Sequence, residues 1–243
     1  MNPIISISAL IAPILLAGGL TLKIKINQVN LRLLLAFSAA YLFTLSIIHL
    51  LPSVFQLGST KQIGIFIVFG FCLQLLIDTF STGIEHGHIH LHSSECKNKL
   101  PRGIIVGLLL HSFLEGLPIY IPSTNLSHSF NQQLILGLAL HNIPITIAFT
   151  ALLKEHESSN SKKWTLLFLF SIMAPLGYLS SYLLQTYGLK NYQLYSQIAF
   201  AMVIGIFLHI STAILFETSE HHKYNKTKVL MMACGIVLAY LIS

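Results

Sequence analysis

The chain has 243 residues, of which 54% are hydrophobic and only 9% are Asp, Glu, Lys or Arg, and its mean hydropathy is +0.73. A water-soluble domain of this size carries about 25% charged residues to wet its surface, so the composition excludes one and leaves an all-α, polytopic membrane protein with its apolar exterior in the lipid bilayer. The formal net charge of +6 is spread along the chain and not gathered into a patch, which argues against a nucleic-acid partner.

A helix needs roughly 20 apolar residues to cross about 30 Å of hydrocarbon. Eight runs meet or approach that length: Ile4 to Leu22, Leu31 to Leu51, Ile63 to Phe80, Gly103 to Ile121, Gln133 to Leu153, Trp164 to Leu184, Leu194 to Phe216, and a short last one, Val229 to Ile242. The first lacks a basic n-region and a distinct small-residue cleavage site, so it is expected to be a retained span. Eight spans in one bundle make residues 1–243 a single transmembrane domain.

Span two holds His49 near one end. Span three carries Asp78 close to its exit and leads into a loop, residues 81–101, containing Glu85, His86, His88, His90 and His92. Histidines at every second position do not match a closed structural zinc site, whose ligands come from separate elements. They suit exchangeable capture of metal, with a plain solvated loop as the alternative. Glu217, Glu220, His221 and His222 form a smaller cluster after span seven.

Spans four and five carry ionisable groups inside apolar sequence, where such groups are costly and mark ion or proton traffic. His111 and Glu115 are four apart, on one helix face, so an imidazole and a carboxylate can converge on one cation. His111 follows Arg102 by about 14 Å of helix rise, and His141 lies at a similar depth before Lys154, so both fall near the bilayer midplane. The segments around the two histidines are alike, which suggests an inverted repeat. Pro118 and Pro144 are expected to kink these helices and free the carbonyls of Leu114 and Leu140. His209, in span seven, is placed about two-thirds of the way toward the cytoplasm.

Twelve of the fourteen Lys and Arg residues fall in alternate connections: Lys23, Lys25, Arg32; Lys97, Lys99, Arg102; Lys154, Lys162, Lys163; Lys223, Lys226, Lys228. Only Lys61 and Lys190 lie on the other side. By the positive-inside rule both termini face outward and the histidine-rich loop is cytoplasmic. Cys72, Cys96 and Cys234 form no disulfide framework, and no nucleotide-binding glycine motif is present, so ATP-driven transport within this chain is not expected.

His111-Ser112-Phe113-Leu114-Glu115-Gly116, followed one span later by His141-Asn142-Ile143-Pro144, resembles the paired histidine motifs of the Zrt/Irt-like (ZIP) divalent-metal transporters. Ile48-His49-Leu50-Leu51-Pro52 and Ala174-Pro175-Leu176-Gly177 are similar to that family as well. The resemblance implies a ZIP-like eight-transmembrane-helix bundle in the plasma membrane, with an inner bundle of spans two, four, five and seven. It further implies uptake of Zn²⁺ or a similar ion toward the cytoplasm and a two-metal centre on spans four, five and six. The chain departs from the pattern at Ile145, Ser112 and Ala174, where the family has Glu, Asn and commonly an acidic residue.

The expected centre is therefore single-metal, with His111, Glu115 and His141 as ligands to Zn²⁺ or another divalent transition metal, completed by Asn142 or water. His49, Ser112, Pro144 and His209 are expected along the pathway. Asp78 is grouped with Glu85 and the loop histidines as a cytoplasmic capture site. A homodimer in the membrane is compatible with the sequence. Two other classes stay open: an intramembrane zinc hydrolase with His111, His141 and His209 as ligands and Glu115 as base, and a metal sensor without flux.

Overall fold

The computed structural model describes residues 3–24, 26–81, 102–120, 128–156, 159–187, 190–217 and 226–242, and every element among them is helical. The helices are α1 (Pro3–Lys23), α2 (Gln28–Phe55), α3 (Thr60–Ser81), α4 (Arg102–Gly116), α5 (His128–His156), α6 (Asn160–Thr186), α7 (Tyr192–Glu217) and α8 (Lys226–Leu241). The first seven are long and apolar enough to cross a membrane. The last expected span, α8, has 16 residues, roughly 24 Å of rise and short of a full hydrocarbon layer.

Burial separates the helices into an inner and an outer group. The apolar windows of α2, α4, α5 and α7 are 61%, 50%, 72% and 61% buried, against 28% for α1, 22% for α3 and an intermediate 44% for α6. The inner four are the spans expected to form the inner bundle. The outer helices show Ile, Leu, Val and Phe to the outside, as lipid-facing helices do. Packing is closest between α3 and α7, α2 and α8, α1 and α5, and α4 and α6, and α2 also packs against both α7 and α5.

Glycines allow the tightest of these crossings. A Cβ on Gly70 of α3 would collide with the carbonyl of Met202 on α7, and one on Gly205 with the carbonyl of Ile67. The α4–α6 crossing is built likewise, with Gly116 against the Ala174 carbonyl and Gly177 against that of Phe113. Backbones this close are the usual means of holding helices together in lipid, where no hydrophobic force acts between them.

Two prolines shape the inner helices differently from the expectation of paired kinks. Pro144 lies inside α5, which continues through it. Pro118 does not kink α4; it sits in a 3₁₀ turn, Leu117–Ile119, after the helix has ended at Gly116. A proline two residues past a glycine has no helix left to bend and stops it instead. In α2 the turn Ser46–Leu50 is a π-helix, closed by the Leu51 N–H on the Ser46 carbonyl. The widened turn precedes Pro52, which cannot donate to a carbonyl one turn back.

Candidate metal centre

The α4 helix repeat stacks His111 over Glu115, with Nε2 of His111 3.0 Å from Oε1 of Glu115. From α5, His141 turns its Nε2 to the same oxygen at 3.6 Å. The two imidazoles stand nearly perpendicular, with ring centroids 6.0 Å apart. All three side chains are fully buried. Their ligand atoms lie within 4.8 Å of one another, and they form the only such group of three or more among the described residues.

Neither oxygen of Glu115 makes a hydrogen bond, and neither does either polar atom of Asn142 or the hydroxyl of Ser112, although all are buried. A buried carboxylate that accepts no hydrogen bond costs several kcal/mol. One positive ion among two imidazoles and a carboxylate relieves that cost, and this donor set suits a first-row divalent metal. Ile145, one turn beyond His141 on α5, is fully buried in an apolar cluster with Ile14, Leu108, Phe149 and Phe170, and Ala174 is buried without a polar group to offer.

The far nitrogens of both imidazoles are held from other helices. Nδ1 of His141 lies 3.2 Å from Ser38 Oγ on α2, and Nδ1 of His111 lies 3.3 Å from Gln74 Oε1 on α3. Gln74 in turn donates from Nε2 to Asp78 Oδ1 at 2.8 Å, and the other oxygen of Asp78 is 2.7 Å from His209 Nε2. Phe71 meets the His209 ring edge-on at a centroid distance of 4.8 Å.

Asp78, grouped by sequence with the histidine-rich loop, is thus paired with His209, and through Gln74 both are linked to the centre. His209 is not in the three-residue group, so the ligand set required of a hydrolase, His111 with His141 and His209, is not assembled among the described residues. His49 lies in the π turn, partly buried, with Nε2 lacking a hydrogen-bond partner. Ser112 and Pro144 are buried beside the centre's ligands in sequence. Glu85, His86, His88, His90 and His92 lie outside the described residues, as do Glu220, His221 and His222.

Sequence reasoning does not single out Gln74 or Ser38. The only signal for Gln74 is an amide inside the third apolar run, four residues before Asp78; Ser38, in a run of small residues, carries none. A protein-family model described as "ZIP Zinc transporter" matches residues 102–243, which include His111, Glu115, His141 and His209. No curated protein matches the chain.

Proposed function

From the premise that the chain belongs to the ZIP zinc transporter family, whose members move divalent metals across membranes, we propose that it carries Zn²⁺ or a similar ion toward the cytoplasm through the centre of His111, Glu115 and His141. The observation that carries this reading is the buried Glu115 carboxylate, free of hydrogen bonds and faced by two imidazole nitrogens. Asn142, adjacent and equally unsatisfied, completes the ligand set with water.

The site binds a single ion, because Ile145 and Ala174 offer nothing to a second. Two neutral imidazoles and one carboxylate leave Zn²⁺ with a residual charge of about +1, a compensation weak enough to favour release. His49 serves the outer approach, Ser112 and Pro144 shape the route at the centre, and the Asp78–His209 pair receives the ion on its way in. The distribution of Lys and Arg supports an orientation with both termini outside the plasma membrane, the direction of flux follows from the family resemblance, and the likeness of the segments around His111 and His141 supports an inverted repeat. The loop histidines His86, His88, His90 and His92, with Glu85, take up the delivered metal.

The reading is tested by reconstituting the purified chain in liposomes loaded with a metal-sensitive dye and presenting Zn²⁺, Fe²⁺, Mn²⁺, Co²⁺ and Ni²⁺ in turn. Saturable uptake of at least one ion is expected. Bound metal with no flux for any of them would instead favour a sensor. His209→Ala is expected to lower the maximal rate about tenfold, an effect of the size seen when a supporting metal-site group is lost, while metal binding at His111 persists. Deleting residues 86–92 should slow uptake or abolish its response to internal metal; a rate and feedback equal to those of the intact chain would remove the loop from the pathway.

A further inference from the structure

Gln74 is fully buried and lies between two polar clusters on different helices. Its amide has a carbonyl that only accepts and an NH₂ that only donates, so its two ends cannot exchange roles. The Asp78 carboxylate accepts only, and at 2.8 Å it takes the NH₂ of Gln74. That contact turns Oε1 toward His111 Nδ1, 3.3 Å away. Facing an acceptor, Nδ1 carries the imidazole proton, and the lone pair is left on Nε2, the nitrogen 3.0 Å from Glu115.

The state of His111 that can ligate a cation is thus selected from α3, through an amide whose orientation is set by Asp78. Ser38 imposes no such choice on His141, since a hydroxyl can donate or accept. The geometry points to Gln74 as a positioning residue that fixes the His111 tautomer and ties the central site to the Asp78–His209 pair. This inference rests on the transport-site reading, because it assumes that His111 Nε2 binds the ion.

Co²⁺ titration of the full chain in detergent, followed by visible absorption, tests both and tells them apart. The signal of interest is the difference between a protein and the same protein with His111→Ala, which removes contributions from other histidines. Gln74→Met keeps the side chain's length and removes both hydrogen bonds. Its His111-dependent band should need about 10- to 100-fold more Co²⁺ and change shape. Gln74→Glu keeps an acceptor toward Nδ1 and, when protonated, a donor toward Asp78, and should stay near the intact protein.

Should Gln74→Met fail to give folded protein, Gln74→Asn, one methylene too short to span both partners, carries the same expectation. An unchanged band at unchanged Co²⁺ concentration in a folded Gln74→Met or Gln74→Asn overturns the role of Gln74 and leaves the transport-site reading intact. Absence of any His111-dependent band in the intact chain overturns both.

Discussion

Glu115→Gln should reduce metal flux by more than about 100-fold while leaving the metal-free protein as stable as before, or more so. The substitution keeps the shape of the side chain and removes the one carboxylate in the three-residue group. Taking one member from a buried charged set costs about 3–5 kcal/mol, and each 1.4 kcal/mol is about tenfold in binding. Stability should not fall in parallel, because neither Glu115 oxygen makes a hydrogen bond that could be lost. The new NH₂ can donate to an imidazole nitrogen that now faces a carboxylate. Uptake into liposomes reads the first effect. Thermal unfolding with and without Zn²⁺ reads the second: Zn²⁺ should raise the midpoint of the intact chain by binding its folded state, and this rise should vanish in Glu115→Gln. A variant that unfolds earlier without metal would make Glu115 a structural residue.

The second large effect is expected far from any ligand. A methyl group at Gly205 meets the Ile67 carbonyl and comes within 2.6 Å of the Phe71 nitrogen. Both are backbone atoms, so neither can rotate away and α3 must separate from α7. Overpacking of this kind costs about 3 kcal/mol, the upper end of its usual range. Gly70, Gln74 and Asp78 follow one another at single-turn intervals on α3, as Gly205 and His209 do on α7. A wider crossing therefore also pulls Asp78 away from His209 and loosens the amide bridge to His111. Gly205→Ala should lower both the yield of folded protein and the residual transport per folded molecule. Gly64→Ala, on the same α3 but with nothing within 4 Å of the added carbon, should be neutral or stabilising by up to about 1 kcal/mol. Thermal unfolding of the two variants in detergent checks the contrast, and equal midpoints would mean that the α3–α7 crossing is not held by its glycines.

What is legible in the sequence follows from short-range periodicity. Apolar runs of membrane length announce the helices, and the four-residue spacing of His111 and Glu115 by itself places both on one face. His141 joins them because an imidazole in an apolar run has few inexpensive roles. The supporting groups stay hidden because their function depends on how helices cross. Gln74 and Asp78 are one turn apart on α3, yet nothing local tells that this face looks toward α4 and α7. That orientation is set by contacts of Gly70 and Gly205 with the backbone of a helix distant in sequence, so local sequence groups Asp78 with the loop that follows it instead of with His209. Pro118 misleads for a related reason: its effect depends on whether the helix persists to meet it, and α4 ends at Gly116. The inner and outer helices, by contrast, are separable from the family resemblance, and their burial agrees with it.

The central claim is that the ion crosses by way of His111, Glu115 and His141. Its most direct test is the initial rate of Zn²⁺ uptake into liposomes for the intact chain, His111→Ala, His141→Ala, Glu115→Gln and, as a folding control, Gly64→Ala, each normalised to folded protein reconstituted. Loss of flux in each of the three site variants, with Gly64→Ala at the rate of the intact chain, is the predicted result. Flux at the intact rate in any of the three would show that the ion takes another path.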